Sequence, residues 1–246
     1  MTTSSEIKAM AFEAGADLCG IAPVGRFFSA PEGYHPFNIY PKTRSVLVIA
    51  KREPESVLYS TSAVAYTFAT EVIRNDVYRI TLDLVMKLEK KGITAIPIPS
   101  GFYAFWDEER TTGMGILSLR HAGQLAGLGV IGKNTLLQNK NFGNLIKLGA
   151  ILTNIELDGD PLDDRSVCKD SCSLCIKSCP MGAINEGYVD QFKCRKKSNV
   201  KTKKGNTLEA CNICRKVCPH RAGNNRLTDE IPLMVSSLLK VKNLLG

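Results

Sequence analysis

The 246 residues include only three histidines, His35, His121 and His220, too scattered to suggest a metal triad. No apolar run approaches the ~18 residues needed to cross a bilayer, so a soluble chain with no membrane partner is expected. The opening residues, Met1 to Ala9, lack a basic segment followed by an apolar one, which argues against a signal peptide and for a cytoplasmic location. The abundant feature is cysteine, with nine in all and eight of them between positions 168 and 218.

Those eight run Cys168-x3-Cys172-x2-Cys175-x3-Cys179-Pro180, then Cys194, then Cys211-x2-Cys214-x3-Cys218-Pro219. Eight thiolates suit two [4Fe-4S] clusters, because each cluster has four irons and each iron takes one external sulfur. The Cys-Pro endings match the two-cluster bacterial ferredoxin run, in which the fourth Cys ligates the other cluster. The expected pairing is therefore crossed. Cys168, Cys172, Cys175 and Cys218 would hold cluster 1, and Cys179, Cys194, Cys211 and Cys214 would hold cluster 2. Two other readings compete. Disulfides need an oxidising compartment, which the N-terminus does not announce. Zinc could take Cys172, Cys175, Cys211 and Cys214, leaving the other four without a task. The first gap, three residues where the bacterial run has two, is expected to reshape a loop and keep the ligand. Cys19 stands far away and reads as a small buried hydrophobe near a strand.

The length and a hydrophobic content of 44% allow one substantial core plus a small metal-held module. The formal charge of +8 falls to about +4 once two clusters, each about −2 with its thiolates, are included. Much of the basicity then offsets the cofactor, which weakens any case for nucleic acid.

Residues 1–157 read as an α/β domain. Ser5 caps a helix that ends at Gly15, a strand follows from Leu18 to Ala22, and the segment 23–43 reads as an ordered loop. Ser45 to Ala50 reads as a buried strand of the parallel-sheet kind. A long helix from Ala63 to Lys91 carries Ile73, Val77, Ile80, Leu84 and Leu88 on one face, and Ile93 to Ile98 returns as a strand, which suggests a right-handed crossover. A second helix is expected from Leu117 to Leu128, then one or two strands between Leu145 and Leu157. The acidic stretch 158–165 reads as a solvated linker, 166–222 as a ferredoxin-like module with two clusters, and 223–246 as a tail whose amphipathic helix, Thr228 to Leu245, packs back on the core.

Gly127-Leu-Gly-Val-Ile-Gly-Lys-Asn-Thr135 matches G-x-G-x-x-G and the first part of a P-loop. Both readings need a strand directly before the glycines, whereas Leu117 to Ala126 has helical period, and Asn134 stands where a P-loop needs Ser or Thr. A tight turn with close backbone approach is the plainer reading.

His121 to Leu137, Leu148 to Thr153 and the eight-cysteine run together resemble the epoxyqueuosine reductase family, cobalamin-dependent iron-sulfur enzymes related to reductive dehalogenases. The resemblance implies an α/β domain like the cobalamin-binding fold of those proteins, with clusters delivering electrons to cobalt. It places Gly127, Gly129, Gly132, Lys133, Asn134 and Thr135 on the corrinoid side. The tRNA-modifying members carry an Asp before this helix that is thought to supply a proton, and ungapped counting puts Gly113 there. Asp107 is the nearest substitute, with an exposed acidic loop as the alternative. The family's full-length enzymes continue into a C-terminal helical-repeat region that helps engage tRNA, so this chain is expected to be a short form.

The run Arg195 to Lys204 has six cations and no acid, and three readings stay open: a solvated loop, a dock for a redox donor such as flavodoxin or ferredoxin, or RNA phosphate contact. Phe102, Tyr103, Phe105 and Trp106 would lid a flat ligand or pack in the core. Three functional classes follow. An iron-sulfur oxidoreductase passing electrons to a buried cofactor such as cobalamin, for reduction of a small or nucleoside-like substrate, employs both parts of the chain. A ferredoxin-like carrier leaves the α/β domain idle, and a tRNA-modifying reductase expects the missing C-terminal region.

Overall fold

The computed structural model describes residues 2–109, 112–185 and 187–227; the expected tail helix lies outside them. The chain begins with α1 (Ser4–Glu13), β1 (Leu18–Pro23), α2 (Pro36–Ile39), β2 (Ser45–Arg52), α3 (Ala63–Glu89) and β3 (Ala95–Ile98). A hairpin of β4 (Phe105–Asp107) and β5 (Thr112–Met114) precedes α4 (Leu119–Leu125), β6 (Val130–Ile131), β7 (Leu137–Gln138) and β8 (Ile146–Thr153). The cysteine-bearing part holds α5 (Leu174–Lys177), β9 (Ile184–Asn185), β10 (Tyr188–Val189), α6 (Gln191–Ser198), β11 (Asn199–Lys201), β12 (Thr207–Glu209) and α7 (Ile213–Lys216).

One four-stranded sheet in the order β1-β2-β8-β3 organises the first 157 residues, and every neighbouring pair is antiparallel. This corrects the parallel-sheet reading of β2. Its unbroken apolar run follows from burial on both faces: Leu47 and Ile49 join one core cluster, Val46, Val48 and Ala50 the other. A central antiparallel strand covered on both sides has the same composition as a parallel one. β2 and β3 both run antiparallel to β8, hence parallel to each other, with α3 between them in sequence and β8 inserted between them in the sheet.

α3 lays Val77, Ile80, Leu84 and Leu88 against one sheet face, with α1 beside it, and Ile73 on the same helix is also buried. The other face is covered by α4 and the segment after it, through Ala122, Ala126, Leu128 and Leu137. Thr3, not Ser5, caps α1, because its hydroxyl accepts from Glu6 N–H while the Glu6 carboxylate accepts from Thr3 N–H. Cys19 is buried in β1, and burial pushes its thiol up to about 12. Among the described residues no helix is long and apolar enough to cross a membrane.

The acidic stretch after β8 is not a solvated spacer. Leu157 is buried and donates its N–H to Ser45 Oγ, the Asp160 carboxylate accepts from Ile21 N–H at 2.8 Å and pairs with Lys8, and Arg26 donates to the Asp160 carbonyl. The carboxylates that suggested a linker are partly spent in strapping the chain across β1 before it enters the cysteine-bearing part.

Candidate metal centre

The two cysteine runs fold as a structural repeat. α5 and α7 occupy corresponding places, and the residues before them, Ser173 and Asn212, share a backbone conformation (φ −132°, ψ 17° and φ −131°, ψ 18°). Each run nevertheless sends its last cysteine away from its own neighbours. Cys168, Cys172, Cys175 and Cys218 line one cavity of about 300 Å³, closed on the α/β side by Lys133, Asn134 and Gln138.

Thiol electrostatics separate the same two groups. Burial is the chief reason that Cys218 and Cys214 are each pushed up to about 11. The His220 backbone draws Cys218 down, and the thiols that push it further up are Cys168, Cys175 and Cys172. Arg215 draws Cys214 down, and the thiols acting on it are Cys211, Cys194 and Cys179. Cys194, raised by burial and eased by a hydrogen bond with Ser198, likewise feels Cys211 and Cys179.

Among the described residues, no three His, Cys, Asp or Glu side chains come together as ligands for a single ion. A tetrahedral zinc needs all its sulfurs about 2.3 Å from one point. Sulfurs standing around a cavity instead suit a group that spreads its ligands over several metals.

The segment 127–135 turns out to be part of this wall. Gly127 and Gly129 have positive φ (73° and 153°), and a Cβ on either would collide with the chain itself, at the Pro161 carbonyl and the Gln138 carbonyl. A Cβ on Gly132 would approach Cys168 Sγ to 3.4 Å. Lys133 N–H points to Cys168 Sγ at 3.4 Å, Lys133 Nζ donates to the Asp170 carbonyl, and Asn134 Nδ2 donates to the Cys214 carbonyl. Thr135 holds a left-handed conformation (φ 60°) that costs a β-branched residue about 1–3 kcal/mol. Arg120 grips it there, donating to both its carbonyl and its hydroxyl. Of the six residues placed by resemblance beside a corrinoid, Gly132, Lys133 and Asn134 meet the cysteines, while Gly127, Gly129 and Thr135 pack against Pro161, Gln138 and Arg120.

A second locus lies on the hairpin. Gly113, where the counted Asp would fall, has its N–H and carbonyl held by the Gln191 side-chain amide at 3.2 and 3.3 Å. A Cβ there would meet the Tyr103 ring at 2.8 Å and Arg195 at 3.0 Å, so glycine leaves room for those two side chains. Arg195, next to Cys194, donates to Gln191 and lies over the rings of Tyr103 (4.4 Å) and Trp106 (4.9 Å). Phe102, Tyr103 and Phe105 are exposed and Trp106 is half-buried, so this set is a surface and not core. Asp107 stands half-buried in β4 opposite Thr112 and does not line the cysteine cavity. Of the six cations, Arg195 turns inward and Lys196 lies over Phe192, while Lys197, Lys201, Lys203 and Lys204 are placed on the end of α6 and on the β11–β12 hairpin.

No family model matches the chain. The curated epoxyqueuosine reductase of Bacillus anthracis is 32% identical over 121 residues, 48% of this chain and 29% of that protein, so the match spans less than a third of that relative's length. In fold, the chain is similar to the epoxyqueuosine reductase of Streptococcus thermophilus, with a TM-score of 0.63 at 18% identity over 94% of this chain and 69% of that one. It is also similar to a reductive dehalogenase whose structure suggests a mechanism for B12-dependent dehalogenation, with a TM-score of 0.62 at 20% identity over 98% of this chain and 36% of that one.

Proposed function

For a chain that is epoxyqueuosine reductase-like in sequence and fold, we propose the role of an iron-sulfur oxidoreductase. One [4Fe-4S] cluster is held by Cys168, Cys172, Cys175 and Cys218, and a second by Cys179, Cys194, Cys211 and Cys214. The observation that carries this reading is the crossing: each thiol set takes members from both runs, and the first set rings a cavity of about 300 Å³. The donor set suits the group, since thiolates are the ligands that iron-sulfur clusters take. Bound clusters supply one-electron transfer at a potential set by hydrogen bonds to sulfur and by burial. The chain's own residues provide those bonds. Lys133 N–H serves Cys168, Ala183 N–H serves Cys179 at 3.3 Å, and buried Gln138 stands beside Cys218.

The division of labour follows the expected domains: 1–157 as the acceptor side, 158–165 as a strap, and 166–222 as the cluster module. We assign the electron acceptor to the aromatic face of the hairpin. The glycines of the 127–135 turn are taken up by the chain's own carbonyls and Lys133 and Asn134 by the cysteines, which favours a different surface for the acceptor. Phe102, Tyr103 and Phe105 offer exposed rings to a flat ligand, and the Arg195 stack joins them to the helix that carries Cys194. A corrinoid held there would supply a strongly reducing cobalt centre for a small or nucleoside-like substrate. The lysines of α6 and the β11–β12 hairpin suit an acidic donor of the flavodoxin or ferredoxin kind.

Spectral titration of the anaerobically reconstituted chain with cobalamin tests the acceptor assignment. Saturable binding should weaken at least roughly tenfold in Tyr103→Ala and Phe105→Ala, about 1.4 kcal/mol, while both clusters remain. No binding, together with electron transfer to a partner protein, would favour a ferredoxin-like carrier.

A further inference from the structure

The repeat that builds the two sites differs in charge at one partly buried position. After the cysteine that precedes the closing Cys-Pro of its run, the first copy has Ile176, following Cys175, and the second has Arg215, following Cys214. The Arg215 side chain, 15% exposed and next to Cys214, donates to the Asn144 carbonyl and reaches Glu53 Oε2 at 3.4 Å. Glu53, immediately after β2, is fully buried; its N–H donates to the Leu145 carbonyl, and its other oxygen pairs with Lys147 Nζ at 3.1 Å. Burial pushes the Glu53 carboxyl up, but Arg215 and Lys147 outweigh it and hold the group below the usual carboxylate range. A second pair, Arg74 with Glu209, lies at the edge of the same network.

A buried charge beside a redox centre acts with little solvent screening. Arg215 and Lys147 alone would favour the reduced, more negative cluster and make it a weak reductant. Building on the reading that Cys179, Cys194, Cys211 and Cys214 hold a cluster, we propose that Glu53 sets the reduction potential of that second cluster by offsetting Arg215 and Lys147. Glu53 thereby holds cluster 2 at a lower potential than Arg215 and Lys147 alone would give it. Cluster 1 has Ile176 at the corresponding position and so serves as an internal control. Glu53 is a positioning residue, since it touches the arginine and not the cluster ligands.

The test is a potentiometric titration followed by electron paramagnetic resonance on the full, anaerobically reconstituted chain, with cluster 2 identified as the signal altered in Cys194→Ser. Glu53→Gln should shift cluster 2 to more positive potential by about tenfold in its reduction equilibrium, 59 mV for one electron, and leave cluster 1 in place. Arg215→Met should move cluster 2 the other way, and the double variant should fall between them. Lys147→Met, at the rim of the network, should also shift cluster 2 negatively and serves if Glu53→Gln folds poorly. A negative shift in Glu53→Gln, an equal shift in both clusters, or none would overturn the role of Glu53 while leaving the two clusters standing. A chain that takes up no cluster would sink both.

Discussion

Cys179→Ala and Cys211→Ala, each reconstituted anaerobically, should damage the same cluster, and Cys218→Ala the other, with about four of eight irons lost in each case. The expectation runs against sequence proximity. Cys179 lies four residues after Cys175, and Cys218 four after Cys214, yet the thiols that act on Cys218 are Cys168, Cys172 and Cys175, and those that act on Cys214 include Cys179. Magnetic resonance of the remaining cluster reads the result. Cys179→Ala and Cys175→Ala removing the same signal would refute the crossed assignment.

Removal of iron should unfold residues 166–222 and spare the sheet. The only apolar side chains of that segment that are buried among the described residues are Ala183, Ile184 and Ala222, far too few for a core. Apart from Ala222, which packs with Leu58, Tyr66 and Leu145, what ties it to the rest is mostly polar: Arg215 with Glu53, Arg221 with Glu55 at 2.9 Å, Glu209 with Arg74, and Asn134 with the Cys214 carbonyl. Such contacts hold a folded partner but do not replace the metal that organises it. After chelation, hydrogen exchange should approach unprotected rates across 166–222, while α3, β2 and β8 stay protected. Equal protection with and without iron would mean that the clusters are not the structural centre of the segment.

The elements were legible where burial imposes a period. The α3 stripe emerged as read because a helix covering a sheet must repeat apolar residues every three or four positions. Strand pairing was not legible: β8 enters between β2 and β3, meeting β2 through partners about 100 residues distant, such as Val48 with Ala150, and an apolar run does not encode which neighbour it takes. The proposed cysteine grouping came from the match to the two-cluster ferredoxin run and not from proximity, since Cys218 lies 43 residues beyond Cys175. The glycine turn was visible as a feature but not as a wall of the cysteine cavity, since its neighbours Pro161, Gln138 and Cys168 come from three other segments. Glu53 and Gln191 were missed altogether. A carboxylate after Arg52 looks like an exposed strand end, and only the contrast of Ile176 with Arg215 between the two cysteine runs hinted that a buried cation needed an answer.

Iron and acid-labile sulfide, counted per chain after anaerobic reconstitution and checked by Mössbauer spectroscopy, test the central claim most directly. The account predicts about eight of each, all in cubane form. A chain that refuses iron and binds zinc through Cys172, Cys175, Cys211 and Cys214 would contradict it.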